Sequence, residues 1–291
     1  MTLLTGDCLD ILAAMPPDSV DLVVTSPPYN LAIGYAAYDD SRPDGEYLDW
    51  MTRVAVALER VLTPEGSVFL NLAGSNAKPW LPFELMTRLR PFFQLQNHIA
   101  WIKSVAVGDA ASGHYKPVGG GRFLHPMHEH VFHLTKTGRV TLDRLAIGVP
   151  FQDKSNIARR GHARDLRCRG NTWFIPYRTV QTRAQKFHHP AGFPLTLPLW
   201  CIYLVGGRPR VLDPFAGAGT TLVAAARAGV PGMGIEIDPL YASIAETRLA
   251  ADAFRRVTLT PAEMAALPAR VREQGNQSTG GIALSLPDRS P

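Results

Sequence analysis

RVLDPFAGAGTTLVAAARAG, residues 210–229, contains a short apolar run, a glycine-rich turn and an alanine-rich segment. It predicts a buried strand, a tight turn and a helix. Gly217 and Gly219 let the backbone approach a ligand closely, although a GxG turn also serves plain strand–helix packing. The next predicted strand ends at Glu236, where an acidic side chain can bind ribose hydroxyls. Asp213 opens the turn and would repel a pyrophosphate, which disfavours a nicotinamide dinucleotide and favours a cationic cofactor that carries an amino acid.

Short apolar runs alternate with helical patterns over most of the chain. The predicted strands cover residues 2–6, 21–26, 67–72, 98–103, 130–135, 210–214 and 232–237. The predicted helices are Leu9–Met15, Tyr47–Leu62, Phe83–Leu89, Leu195–Val205, Thr220–Ala228 and Pro239–Phe254. This alternation predicts an α/β fold with a doubly wound, mixed but mainly parallel sheet of seven strands.

A basic segment interrupts the alternation between about residues 104 and 190, which are rich in Gly, Arg and His. From Lys103 to Lys186 there are 15 Lys and Arg against 5 Asp and Glu, although the whole chain carries a net charge of only +5. A solvated face is the ordinary interpretation of a charge run. A segment with such a large excess of positive charge is more typical of a surface that binds a polyanion, and we therefore expect a nucleic-acid partner.

Composition narrows the class of protein. No apolar run approaches the roughly 20 residues of a membrane span, so we expect no membrane partner. The start, MTLLTGDCLD, lacks the apolar core of a signal peptide. The three cysteines, Cys8, Cys168 and Cys201, form neither a disulfide framework nor a zinc pattern. A cytoplasmic protein without a metal site is expected.

A second motif lies upstream, in VVTSPPYN at residues 23–30, where strand formers run into two prolines. Together with DPFAGAGTT and the later GIEIDPLY, it resembles the S-adenosylmethionine-dependent DNA amino-methyltransferases. The order of the motifs, with TSPPYN first and the cofactor turn last, is similar to the β group of that family, a circular permutation of the common methyltransferase fold. The resemblance covers roughly residues 1–255.

The resemblance implies four regions. These are a catalytic half at 1–103, a basic target-recognition insert at 104–188, a cofactor-binding half at 189–256, and a C-terminal extension with a flexible tail at 257–291. The insert is expected to include a sheet strand near 129–136, which we predict as the last strand of the sheet.

The resemblance also implies a site for S-adenosyl-L-methionine. Asp7 would lie near the adenine amino group, Phe193 would line the methionine pocket, and Glu236 would bind the ribose. Plain structural roles stay open, since Asp7 can cap the following helix and Phe193 can belong to the core. The residues expected at the cofactor are Asp7, Cys8, Phe193, Pro194, Asp213, Pro214, Phe215, Ala216, Gly217, Gly219, Thr220, Thr221, Glu236 and Asp238.

The catalytic residues expected are Ser26, Pro27, Pro28 and Tyr29. An exocyclic amino group on a base is a poor nucleophile, because its lone pair is delocalised into the ring. Hydrogen bonds from its two N–H groups to Ser26 Oγ and the Pro27 carbonyl would localise that lone pair, and the prolines would hold the carbonyl in place. Tyr29 would stack on a flipped-out base.

The target base stays open between two alternatives. Ser-Pro-Pro-Tyr resembles the cytosine-N4 enzymes, whereas relatives with Asp-Pro-Pro-Tyr mostly modify adenine N6, so cytosine N4 is expected and adenine N6 is the alternative. Cytosine C5 is disfavoured because no cysteine follows a proline. A protein-glutamine methyltransferase would carry Asn-Pro-Pro-Tyr after the cofactor motif, and a catalytically inactive DNA-binding module is a remote alternative.

The partners expected are double-stranded DNA, a cognate restriction endonuclease and a second copy of the chain in a homodimer. Arginines of the insert can hold phosphates or bind guanine edges. Those expected to contact DNA are Arg159, Arg160, Arg164, Arg167 and Arg169.

Overall fold

The computed structural model describes residues 1–114, 117–159, 164–176 and 192–254. Its strands are β1 (Thr2–Thr5), β2 (Val20–Thr25), β3 (Leu62–Leu72), β4 (Gln94–Ile102), β5 (Ser104–Val107), β6 (Ala110–Gly113), β7 (His128–Thr135), β8 (Thr172–Phe174), β9 (Val211–Asp213) and β10 (Gly232–Glu236). Its helices are α1 (Cys8–Ala14), α2 (Asp44–Val61), α3 (Leu81–Leu89), α4 (Ser155–Arg159), α5 (Thr196–Val205), α6 (Thr220–Ala228) and α7 (Pro239–Phe254).

The main sheet has the strand order β1-β10-β9-β2-β3-β7-β4-β8. β7 pairs antiparallel with both β3 and β4, while the other neighbours in this sheet are parallel. The predicted mixed, mainly parallel sheet is therefore confirmed. It has an eighth strand, β8, which is only three residues long and gave no alternating pattern in the sequence.

The placement of β7 corrects a prediction. We expected the strand near residues 129–136 to be the last of the sheet, but it lies between β3 and β4. Thr135 pairs with Ser67 on one side and with Gln94 on the other. β7 is apolar on both faces along Val131 and Phe132, as a strand covered on both sides requires.

Helices cover both faces of the central strands, and successive side chains of a strand point to opposite faces. On β2, Val23 joins a cluster with residues of α1, α2 and α3, including Leu12 and Leu58. Leu22 and Val24 join a second cluster with residues of α5 and α6. A sheet covered by helices on both faces exposes ligand-binding groups chiefly at the ends of its strands, which is where the candidate site lies.

The six predicted helices are all present, and the differences lie at their ends. α2 begins at Asp44 rather than Tyr47, because Asp44 and Glu46 supply the acidic first turn that favours a helix start. α3 begins at Leu81, with Pro82 in its first turn. The sequence gave no sign of α4 or of the β5–β6 hairpin. The C-terminal extension from residue 257 lies outside the described residues.

Candidate active site

A cleft of about 1300 Å³ opens along the carboxyl ends of the parallel strands. It exceeds the roughly 300–1,000 Å³ of a site for one small ligand, so it has room for a cofactor and a second group. Most of the predicted site residues line it, namely Asp7, Cys8, Ser26, Pro27, Pro28, Tyr29, Phe193, Pro194, Asp213, Pro214, Phe215, Ala216, Gly217, Thr220, Glu236 and Asp238.

Asp213, at the end of β9, ties three elements together. Its Oδ1 accepts hydrogen bonds from Thr25 Oγ1 at 2.6 Å and from the Phe215 N–H at 3.1 Å. Thr221 Oγ1 lies 2.7 Å from Asp213 Oδ2 and 3.1 Å from the Val24 carbonyl oxygen. Burial raises the pKa of Asp213 to about 6. Because Thr221 has one hydroxyl hydrogen, a protonated Asp213 can donate to Thr221 while Thr221 donates to Val24.

Glu236, at the end of β10, closes the glycine-rich turn onto the sheet. Its Oε2 accepts from the Gly217 N–H at 2.7 Å, and its Oε1 accepts from the Asp238 N–H at 2.9 Å. Burial raises the pKa of Glu236. Asp238 itself has a buried oxygen, Oδ2, without a hydrogen-bond partner among the described residues. An acceptor in that position is available to a hydroxyl or amino group of a bound molecule.

The two other predicted residues of the turn do not line the cleft. Gly219 has a φ of +76°, which favours glycine, and an added Cβ there would lie 2.8 Å from the Cβ of Ala245. Thr221 is fully buried behind Asp213. Gly219 thus serves the packing of α6 against α7, while Thr221 holds Asp213.

The structural alternatives for Asp7 and Phe193 are both present, and both residues also line the cleft. Asp7 caps α1, with its Oδ1 accepting from the Leu9 N–H at 2.7 Å. Phe193 packs against the core cluster of α5 and α6. Burial, with a smaller contribution from Asp7, raises the pKa of Cys8 to about 12, so this thiol stays neutral.

Aromatic side chains that the sequence did not single out form one wall of the cleft. Trp50 contacts Phe215 and Tyr38, with ring centroids 5.5 Å and 5.3 Å apart. Arg42 lies over the Tyr38 ring at 4.6 Å, in a cation–π contact. Trp50 gave no local signal, because its place at the cleft follows only from the packing of α2 against the sheet.

The Ser-Pro-Pro-Tyr motif directly follows β2, and its side chains belong to a polar network that extends to β3 and β7. Tyr29 Oη lies 2.7 Å from Ser26 Oγ, 2.6 Å from Asn71 Nδ2 and 3.2 Å from Glu129 Oε2. Asn71 Nδ2 also donates to Glu129 Oε2 at 2.8 Å. Lys103 Nζ donates to Glu129 Oε1 at 3.0 Å. Asn71, Lys103 and Glu129 were missed as site residues, although all three line the cleft with Ser26 and Tyr29.

The hydroxyl of Tyr29 stays protonated in this setting. Burial, followed by the nearby Glu129 carboxylate, raises the pKa of Tyr29 well above its ordinary value. A neutral hydroxyl can accept and donate hydrogen bonds at the same time. Tyr47 Oη donates to the Pro28 carbonyl at 2.9 Å and so fixes the backbone just before Tyr29.

The loop after Tyr29 is held by a buried carboxylate. Asp40 accepts hydrogen bonds from the N–H groups of Asn30, Leu31 and Ile33 at 2.8 Å, 3.1 Å and 3.0 Å. Asn30 and Ala32 both have positive φ angles, 58° and 57°, which are costly for non-glycine residues. The three bonds to Asp40 offset that cost and keep Tyr29 in one position at the cleft.

The arginines predicted to bind DNA fall into different settings. Arg159 ends α4 and is exposed, as are Arg164 and Arg167. Arg169 instead donates from Nε to the Ile147 carbonyl at 2.9 Å, and its guanidinium lies 4.2 Å from the centre of the Trp200 ring. Those contacts give Arg169 a packing role within the protein. Arg160 lies outside the described residues.

Two classes of site find no support in the described ranges. No set of three or more His, Cys, Asp or Glu side chains there is arranged to hold a metal ion. In the same ranges, no helix has the length and apolarity needed to cross a membrane.

Comparison with known proteins shows the family of this chain. The sequence matches the N6/N4 family model, described as DNA methylase, over residues 20–247, which include both strand-end motifs. The chain belongs to the DNA methylase family.

Relatives of this DNA methylase differ in their names. It is 30% identical over 257 residues to the Type II methyltransferase M.BglII of Bacillus subtilis, with coverage of 82% of this chain and 66% of the relative. It is 28% identical over 258 residues to the DNA adenine methyltransferase YhdJ of Escherichia coli strain K12, with coverage of 85% and 82%.

Solved structures share the fold of this DNA methylase. The PvuII DNA methyltransferase (cytosine-N4-specific) matches with a TM-score of 0.62 and 20% identity, over 94% of this chain and 91% of that one. A Thermus thermophilus protein described as a putative DNA modification methylase, solved with S-adenosyl-L-methionine, matches with a TM-score of 0.57 and 28% identity, over 86% and 93%. At 20% identity the likeness to the PvuII enzyme concerns the fold alone.

Proposed function

We propose that this DNA methylase transfers a methyl group from S-adenosyl-L-methionine to the exocyclic N4 amino group of cytosine, in a base flipped out of double-stranded DNA. The observation that carries the proposal is that Ser26 and Tyr29 face the same cleft as the turn between Asp213 and Glu236. A donor and an acceptor of the methyl group can therefore meet within one enclosure.

The residues at the turn fit S-adenosylmethionine. Its sulfonium and ammonium groups suit a cleft lined by the carboxyl groups of Asp7, Glu236 and Asp238, whereas a phosphate would be repelled. The unpartnered Asp238 Oδ2 provides an acceptor for a hydroxyl or amino group. The aromatic wall of Trp50 and Phe215 suits an adenine ring. The related Thermus protein was solved with this cofactor.

Ser26 and Pro27 act on the amino group that is methylated. Ser26 Oγ and the Pro27 carbonyl accept its two N–H hydrogens, which pyramidalises the nitrogen and aims its lone pair into the cleft. When bound, S-adenosylmethionine supplies an electrophilic methyl group on a sulfonium. Positioning is the main contribution of the protein, since an oriented pair of reactants avoids the entropy cost of a bimolecular encounter. Tyr29 stacks on the extruded base, which offsets part of the cost of flipping.

We favour cytosine over adenine as the target base because the first residue of the motif is Ser26 rather than an aspartate. The name of the YhdJ relative keeps adenine N6 as the alternative. Either base presents an amino group beside a ring nitrogen, so the geometry of Ser26 permits both. The preference rests on the resemblance of Ser-Pro-Pro-Tyr to cytosine-N4 enzymes.

DNA is proposed to bind along the basic insert, where Arg159, Arg164 and Arg167 are exposed. Their charges suit the phosphates on either side of an extruded base. The M.BglII relative is named a Type II methyltransferase, which supports a partnership with a restriction endonuclease. A homodimer is a further proposal.

The product tests the proposal directly. DNA incubated with the protein and methyl-labelled cofactor is digested, and its nucleosides are separated by mass spectrometry. We expect the label in N4-methylcytosine, and no label after Ser26→Ala. Label confined to N6-methyladenine would overturn the base assignment. No transfer to DNA under conditions where cofactor and DNA both bind would support the inactive DNA-binding module instead.

A further inference from the structure

A chain of hydrogen bonds leads from Ser26, the expected acceptor of the amino hydrogen, to a carboxylate on another strand. Ser26 Oγ lies 2.7 Å from Tyr29 Oη, which lies 3.2 Å from Glu129 Oε2. Glu129 is on β7, and Tyr29 follows β2, so the chain crosses β3 between them. The motif itself contains no carboxylate that could hold a proton, but this chain brings one within two hydroxyl groups of Ser26.

Asn71, on the intervening strand β3, fixes the direction of the chain. Its amide nitrogen lies 2.8 Å from Glu129 Oε2 and 2.6 Å from Tyr29 Oη. The opposite orientation would place the amide oxygen against the carboxylate, so the nitrogen must face Glu129. Asn71 therefore donates to Tyr29 Oη, and the hydroxyl hydrogen of Tyr29 goes to Glu129 or to Ser26.

The carboxylate decides between these two directions. A hydrogen bond to an ionised acceptor is stronger than one between neutral groups, which favours donation from Tyr29 to Glu129. Ser26 then donates to Tyr29, and the lone pairs of Ser26 Oγ are left to accept from a bound base. Within the described residues, the Ser26 hydroxyl has Tyr29 as its hydrogen-bond partner, and its position at the cleft leaves the other side open to the substrate.

We propose that Glu129 is the terminal proton acceptor of methyl transfer, reached through Ser26 and Tyr29. This rests on the proposed function. When the nitrogen–methyl bond forms, the carbon–sulfur bond breaks and its electron pair stays on sulfur, which leaves the amino nitrogen positively charged. That nitrogen passes one proton to Ser26 Oγ, Ser26 passes its own to Tyr29 Oη, and Tyr29 passes its own to Glu129. The methylated base and both hydroxyls end neutral, and Glu129 gains one proton.

The ion pair between Lys103 and Glu129, and its partial exposure, suit Glu129 as a proton acceptor. The Lys103 ammonium lies 3.0 Å from Glu129 Oε1 and forms an ion pair with this carboxylate. The side chains of Lys103 and Glu129 are 18% and 15% exposed. A proton on Glu129 can therefore leave to water at the cleft.

The test combines Glu129→Gln, Tyr29→Phe and the double variant. Tyr29→Phe keeps the stacking ring and breaks the chain, and Glu129→Gln keeps the size of the side chain and removes its charge. We expect each single variant to lower kcat for DNA methylation by at least about 10-fold, the loss of one hydrogen bond to a charged group. KM for DNA and the calorimetric affinity for S-adenosylmethionine should not change by more than about 2-fold. The double variant should be no slower than the slower single, because both break one chain.

Three results would overturn the inference. They are a parental kcat in Glu129→Gln, multiplied losses in the double variant, and lost cofactor or DNA affinity in either single variant. The last would make Glu129 a merely structural residue. Glu84→Gln, an exposed glutamate of α3 away from the cleft, is the matched control and should match the parent. Failure of the unaltered protein to methylate DNA would instead overturn the proposed function.

Discussion

The two ends of the cleft are built in different ways. At the end proposed to hold the cofactor, called here the cofactor end, Glu236 accepts from the backbone N–H groups of Gly217 and Asp238, the farther of which is 19 positions away. At the end proposed to hold the base, called here the base end, Tyr29 contacts the side chain of Glu129, 100 positions along the chain. The cofactor end is thus built largely within the continuous stretch β9–α6–β10, with Thr25 of β2 added, while the base end is assembled across three strands. Changes at the first should affect stability and cofactor binding, and changes at the second should affect the chemistry.

Asp213→Ala tests this difference with the largest expected effect. It leaves Thr25 Oγ1 and the Phe215 N–H without their acceptor in a buried site, at about 1–3 kcal/mol for each unsatisfied group. We expect the free energy of unfolding to fall by at least ~2 kcal/mol in denaturant titration, and cofactor affinity to fall with it. Asp213→Asn keeps one acceptor and should lose less. Parental stability in Asp213→Ala would remove the contrast between the two ends.

The same carboxyl group predicts a pH dependence. The pKa of Asp213 is raised from 3.8 in the unfolded chain to about 6 in the fold, so the folded state holds its proton more tightly. Its contribution to stability is therefore greatest below pH 4 and declines as the pH rises to 6. At ~1.4 kcal/mol per pKa unit, the decline amounts to about 3 kcal/mol. The free energy of unfolding of Asp213→Asn, relative to that of the parent, should therefore be higher at pH 7 than at pH 4. A constant difference would mean that Asp213 is ionised throughout.

At the base end, the ring and the hydroxyl of Tyr29 can be separated. Tyr29→Phe removes only the hydroxyl, and Tyr29→Ala also removes the face expected to stack on the base. Stacking is worth about 1–3 kcal/mol, so Tyr29→Ala should methylate DNA about 10-fold more slowly than Tyr29→Phe. Calorimetric affinity for S-adenosylmethionine should stay parental in both. Equal rates in the two variants would leave the hydroxyl network as the only contribution of Tyr29.

The smallest expected effect concerns DNA affinity, to which we expect exposed arginines of the insert to contribute more than either end of the cleft. Arg164→Gln and Arg167→Gln should each lower the slope of log affinity against log salt by about 0.9, the value for one lost phosphate contact. Arg53→Gln, at an exposed position on α2, is the control and should keep the parental slope. Arg169→Gln should reduce stability rather than the slope, because Arg169 packs on Trp200. Unchanged slopes at Arg164 and Arg167 would place the DNA elsewhere.

The sequence predicted most of the sheet and the glycine-rich turn after β9, because their signals are local. Asp213, Gly217 and Glu236 stand at strand ends that an apolar run and a glycine cluster mark clearly. Asn71 and Glu129 carry no such mark, since they lie inside strands whose alternation shows only which face they share. Their meeting depends on β7 being placed between β3 and β4, and the sequence predicted that strand at the edge. A side-chain network across strands cannot be predicted when the strand order is wrong.

The antiparallel course of β7 has a consequence for protein engineering. Ile102 at the end of β4 pairs with His128 at the start of β7, and the Lys103 N–H donates to the Met127 carbonyl at 2.8 Å. The two ends of segment 104–126 are therefore held next to each other by the pairing of β4 with β7. Doubling the length of a flexible loop costs only about 0.6 kcal/mol in closure entropy. Segment 104–126 could therefore be replaced by segments of other lengths between Lys103 and Met127 with little loss of stability.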